Sequence, residues 1–148
     1  MIIRNAVLED IPEMQVLGKK IYYAMEYSKN GYETYYPLQF TRIIEAIITT
    51  QSGFVLLAFN NKYMAGIFVV LRYPALFGSS WRWSEIVWYA DPELPKITQG
   101  KIMLALLKEA EKKINGWFTL ATNSGKNIHS YLGRHGYRHA ETTYIKEL

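Results

Sequence analysis

A carboxylate set among aromatic side chains, followed by a basic turn into a helix, is the chemically richest stretch of this sequence. It reads Trp83-Ser84-Glu85-Ile86-Val87-Trp88-Tyr89-Ala90, then Asp91-Pro92, then Thr98-Gln99-Gly100-Lys101. Burial disfavours an ionised carboxylate, so the apolar bulk of Trp83, Ile86 and Trp88 would raise the pKa of Glu85 toward that of a general base near neutral pH. The alternative is that strand alternation turns Glu85 outward, to pair with Arg72 or Arg82. The turn after the strand outlines an anion site. With Thr98 as N-cap, the first helical N–H groups would lack internal partners, and the macrodipole, Lys96 and Lys101 would add positive charge. Gly100 alone stands where phosphate-cradling loops usually hold several glycines.

Other side chains offer less. The chain has no cysteine, which excludes thiol catalysis and cysteine-held zinc. His129, His135 and His139 lack a partner glutamate at helical spacing, so they read as surface residues and no metal is expected. The tyrosines Tyr22, Tyr23, Tyr27, Tyr32, Tyr35 and Tyr36 crowd one segment, as rings lining a cleft or as a loop covering the core.

The elements that must position these groups follow from pattern. In the 148-residue chain, 49% of residues are hydrophobic, which suits one domain over residues 1–148. No apolar run is long enough for a membrane span and no leader is seen, so a soluble, cytoplasmic protein is expected. A short strand at Ile2–Ala6 precedes a helix capped by Asp10, with Ile11, Met14, Leu17 and Ile21 at helical spacing. A second helix from about Leu38 places Phe40, Ile43, Ile44, Ile47 and Ile48 on one face. Strands Gly53–Phe59 and Tyr63–Leu71 flank an Asn60-Asn61-Lys62 hairpin turn, and a third runs from Trp83 to Ala90. A helix with Ile102, Met103, Leu106, Leu107, Ala110 and Ile114 on one stripe leads to a strand at Trp117–Thr122. A short helix from Lys126 to His135 stops at Gly136, and the tail from Arg138 to Ile145 reads as one or two more strands.

The order β-α-α-β-β-β-α-β-α-β, with the Asp91-Pro92-Glu93 turn and the Asn127…Gly136-Tyr137 ending, resembles the GCN5-related N-acetyltransferases (GNAT) over almost the whole chain. The pieces Ser84–Pro92 and Tyr144-Ile145-Lys146-Glu147-Leu148 look most like small members encoded by bacteriophages, which would place the protein in a host cytoplasm. The resemblance implies an α/β (α+β) fold with a mixed, mostly antiparallel sheet of about six to seven strands and about four helices. It implies acetyl-CoA as donor and direct transfer to a primary amine of a small molecule or protein in a ternary complex. Backbone groups of Val87, Trp88 and Tyr89 would pair with the pantetheine arm, and one N–H would polarise the thioester carbonyl. The pyrophosphate would sit on the N–H groups of Gln99, Gly100, Lys101, Ile102 and Met103. Lys101 and Met103 stand where the family has small residues, and Leu94-Pro95-Lys96 lengthens the approach. Glu85 falls where many members carry the base. Tyr131 lies one position before the family's acid tyrosine, a place held here by Leu132. Asn123 and Asn127 would touch the pantetheine arm.

Tyr32, Tyr73, Trp81 and Trp83 would form an aromatic wall for the acceptor. The competing expectation is a catalytically degenerate protein that kept the fold and binds a protein partner through those aromatics; a homodimer is also compatible. Cations spread along the chain, at a formal charge of +4, do not favour a nucleic-acid partner.

Overall fold

The computed structural model describes residues 1–25, 35–121 and 126–140. Tyr27, Tyr32, Asn123 and the tail beyond Ala140 lie outside them, as does the side chain of Asn127. The chain runs β1 (Ile2–Asn5), a 3-10 turn (Leu8–Asp10), α1 (Ile11–Ala24), α2 (Pro37–Thr50), β2 (Gly53–Asn60), β3 (Tyr63–Pro74), β4 (Trp81–Ala90), α3 (Lys96–Glu111), β5 (Trp117–Thr119) and α4 (Lys126–Arg134). The sheet order is β1-β2-β3-β4-β5, antiparallel except for the parallel pair β4 and β5.

Helices cover both faces of the sheet, which explains the unbroken apolar run Val55-Leu56-Leu57-Ala58 in β2. Val55 and Leu57 pack with Met14, Leu17, Ile44 and Ile47 of α1 and α2. Leu56 and Ala58 point the other way, to Phe68, Trp88, Ile102, Leu106 and Leu107, beneath α3. Each fully buried leucine contributes about 2 kcal/mol, so both faces hold the sheet. Gly66 lets α3 come close, since a Cβ there would lie 2.6 Å from the Ile102 side chain. The β2–β3 turn uses Asn61 at φ 57°, and Gly136 leaves α4 at φ 85°, as the turn and cap residues suggest.

Four expectations change. Asp10 does not cap α1: its carboxylate holds both Arg4 guanidinium nitrogens at 2.7 Å and the Val7 N–H at 2.8 Å, so the charge ties β1 to the 3-10 turn. The β3–β4 hairpin is longer than alternation suggests, because Tyr73 and Pro74 still pair with Arg82 and Trp81. The helix expected to start at Thr98 starts at Lys96 after Pro95, whose φ of −55° is already helical. Finally, β5 ends at Thr119, Arg138–Ala140 form no strand, and the described residues hold five strands, not six or seven.

Candidate functional site

Alternation fails in β4, and that failure places Glu85. Residues paired across a ladder share a face. Ser84 lies opposite Leu71 and Val87 opposite Val69, on the α1–α2 side, whereas Glu85 lies opposite Val70 and Trp88 opposite Phe68, on the α3 side. Trp83 and Trp88 thus share a face although they are an odd number of positions apart, which a period of two forbids. The slip falls at Ile86, left without a partner between the Val69–Val87 and Val70–Glu85 pairs. With this bulge Glu85 shares the α3 side with Trp88, and no ion pair with Arg72 or Arg82 forms among the described residues.

The second irregularity is a parting of strands. β5 pairs with β4 only at Arg82, Trp83 and Ser84. From Glu85 onward the outer edge of β4 has no strand partner among the described residues, because the ladder with β5 stops at Ser84. Glu85 sits where the strands part, and its carboxylate accepts the Ala121 N–H at 3.2 Å. Burial pushes its pKa up to about 7, with the Ala121 hydrogen bond a smaller opposing pull. A half-buried carboxylate so placed can take a proton from a nucleophile near neutral pH.

The other expected residues lie on β4, α3, α4 and the β3–β4 hairpin. Val87 and Tyr89 turn toward α1 and α2. Trp88 is buried, and its indole N–H donates to the Met103 carbonyl at 2.9 Å, stitching β4 to α3. The N–H of Gln99 donates to Pro95 at 2.9 Å and its side-chain amide to the Pro92 and Leu94 carbonyls. Gly100, Lys101, Ile102 and Met103 follow inside the helix, with Ile102 buried. The N–H groups without intrahelical acceptors are therefore those of the first turn, Lys96, Ile97 and Thr98, just before the expected donors that begin at Gln99. A Cβ at Gly100 would meet nothing within 4 Å, so the helix surface there is open.

Leu132 is buried and Tyr131 half-buried, both against the α3-side core, and the Tyr131 ring stacks on His135 with centroids 4.0 Å apart. Tyr137 is the phenol with a firm partner: burial and the Glu111 carboxylate, 2.6 Å from its hydroxyl, raise its pKa. Of the acceptor wall, Tyr73 and Trp81 are exposed on the hairpin, while Trp83 packs on Phe54 and donates its indole N–H to Asn115 at 2.9 Å.

One cluster had no signal in the sequence. Asp91 is 1% exposed at the end of β4, bonded to Lys20 of α1 at 3.0 Å, to the Tyr63 hydroxyl and to the Glu93 N–H at 2.8 Å. Burial pushes its carboxyl up, but those three partners together hold it below its usual value. Only its place before a proline marked it, as a turn residue. On the far side of the sheet, Leu8, Ile11, Pro12, Arg42 and Ala46 line an open groove of about 540 Å³, away from Glu85.

No protein-family model matches the sequence, and no curated protein matches it. Solved structures do. A GNAT family acetyltransferase from Staphylococcus aureus aligns over 99% of this chain and 98% of its own, at 17% identity and TM-score 0.67. A structure from Clostridium acetobutylicum, described as a predicted acetyltransferase with acetyl-CoA, covers 99% and 95% at 14% identity and TM-score 0.67. One described as a transcriptional regulator from Bacillus halodurans covers 99% of both chains at 17% identity and TM-score 0.69. At such identities the likeness speaks for architecture, and with the bulged β4 and parted β4–β5 pair, this chain has the fold of the GNAT acetyltransferases.

Proposed function

We propose that the protein is an N-acetyltransferase that moves an acetyl group from acetyl-CoA to a primary amine. The observation that carries this reading is Glu85, a carboxylate with its pKa near 7 at the point where β4 and β5 part. An amine near neutral pH is mostly protonated, and Glu85 would take its proton directly or through water. The freed nitrogen would attack the thioester carbon and the C–S bond would break, the thiolate taking a proton from Tyr131 and Tyr131 regaining, through water, the proton the nitrogen sheds as the amide forms.

The chain's own groups fit the donor. The outer edge of β4 at Val87 and Trp88, past the end of the β4–β5 ladder and next to Tyr89, would suit an amide-bearing arm, and an edge N–H there would stabilise the oxyanion. The first turn of α3, with Lys96 and Lys101 nearby, suits a pyrophosphate, and Gly100 leaves room for it. Asn123 and Asn127 remain candidates for the arm. The acceptor would approach along Trp83 from Tyr73 and Trp81, with Tyr32 completing the wall. A place among phage-encoded members, and hence in a host cytoplasm, rests on the sequence pieces quoted above.

A second reading, a fold retained for protein binding, is favoured by the bulk of Lys101 and Met103 at positions where small residues admit phosphate. Calorimetric titration with acetyl-CoA separates the two. Micromolar binding together with thiol release on a panel of amines supports the enzyme, and no heat at millimolar cofactor overturns it.

A further inference from the structure

We propose that the N-terminal end of β4, with the β3–β4 hairpin and β5, is a binding surface for single-stranded nucleic acid. The cations look scattered along the sequence, but the fold gathers them. Segments 72–83, 112–121 and 129–140 contain no aspartate or glutamate, and they contribute Arg72, Arg82 and Arg138 to this end. The Arg72 guanidinium lies 4.4 Å from the centre of the Trp81 ring and 5.6 Å from that of Trp83. Arg82 and Arg138 both sit over Trp117, at 5.1 and 5.5 Å.

None of these three guanidiniums has an ion pair or hydrogen bond among the described residues, whereas the side chains of Arg4, Lys20 and Lys112 each hold a carboxylate. Glu111, just before segment 112–121, accepts the Tyr137 hydroxyl at 2.6 Å and forms no ion pair with these arginines among the described residues. Two guanidiniums gathered at one ring concentrate positive charge, which a phosphate would offset. Their forked donors suit phosphate. The aromatic side chains keep exposed surface beside the guanidiniums, Trp81 at 47% and Trp117 at 53%, and Phe77 at the hairpin tip is 98% exposed. A polymer whose repeat is one planar base and one phosphate matches alternating rings and guanidiniums, and single strands bind on such platforms with little sequence preference. A duplex keeps its bases stacked on each other and leaves the rings unused. An acidic peptide would engage the arginines and leave the flat faces without a planar partner.

The test is fluorescence anisotropy of labelled oligothymidine and oligouridine of about 16 nucleotides at about 50 mM salt, with tryptophan quenching as a second readout. Micromolar binding is expected, with a log–log salt slope near −2, from about −0.7 for each of three phosphate contacts. Arg82→Gln and Arg138→Gln should each flatten that slope by about 0.7. Trp117→Ala should weaken binding about fivefold or more, and Trp117→Phe less. Lys19→Gln and Lys62→Gln, at the other end of the molecule, should change nothing. Absence of binding, equal affinity for duplex, equal affinity for polyglutamate of matched charge, or unaltered binding by both arginine variants would each overturn the proposal. Both arginines are on the surface, so the variants test it even if Trp117→Ala does not fold.

Discussion

At the C-terminal end of β4, Asp91 is sealed from water and met by Lys20, Tyr63 and the Glu93 N–H, so its charge is answered from within the chain. At the N-terminal end, the guanidiniums of Arg72, Arg82 and Arg138 lie over tryptophan rings, with no carboxylate partner among the described residues. The buried end ties α1, β3 and the turn into α3 together, and so fixes where the first helical N–H groups point. The open end leaves charge for something outside the chain. Glu85 lies between, with one backbone N–H on its carboxylate and an apolar wall behind it.

The largest effect belongs to that intermediate position. Glu85→Gln should lower the transfer rate by about 100-fold or more while leaving acetyl-CoA affinity unchanged. The wild-type rate should rise with pH and level off above about 7, where Glu85 is ionised, and the variant should lose that limb. A pH–rate profile with the same limb in Glu85→Gln would remove Glu85 as the base.

Breaking the sealed end comes next. Asp91→Asn should cost about 2 kcal/mol in urea unfolding at neutral pH, because Lys20 loses its buried partner and Tyr63 its acceptor. The folded state depresses the Asp91 pKa, so its contribution is present above the ordinary carboxylate range and is lost as pH falls through the depressed value. Wild type and variant should therefore converge in acid. A constant gap at all pH values would mean that packing, not charge, holds this end.

How much of this was legible follows the same division. The helices and β2–β4 could be read from spacing, because Met14, Leu17 and Ile21, or Ile102, Leu106 and Ala110, recur with the helical period wherever a single face is buried. Gly136 and the Asn61 turn were legible because positive φ selects few residues. The bulge at Ile86 was not, since it is the ladder with β3, not the β4 sequence, that decides where alternation slips. The start of α3 was missed for a related reason: Thr98 is a good cap by type, but the Asp91–Pro95 turn closes on itself through Leu94 N–H to Asp91 O at 3.1 Å and the Gln99 amide. The basic end was invisible because Arg72, Arg82 and Arg138 come from segments that meet only in the fold.

Glu85 also carries a smaller, opposite prediction. In the unfolded chain it ionises near 4.5 and in the folded chain near 7, so folding binds a proton between those values and stability falls as pH rises across that window. Water reaches the half-buried carboxylate and screens part of the penalty. Glu85→Gln should then match wild type at pH 4 and exceed it by about 1–2 kcal/mol at pH 8. Thermal unfolding at the two pH values measures this, and a variant less stable at pH 8 would show that the Ala121 contact outweighs desolvation.

Arg72→Gln should have the smallest effect. The guanidinium is exposed and its contacts are the Trp81 and Trp83 rings, so the loss should be about 0.5–1 kcal/mol. Arg72→Lys should recover little of it, because an ammonium lacks the planar face that lies over both indoles. Urea unfolding of the two variants beside Asp91→Asn sets the ends of β4 on one scale. If Arg72→Gln costs as much as Asp91→Asn, the arginine is a structural clamp between the indoles, and the charge at this end is no more available than the charge at the other.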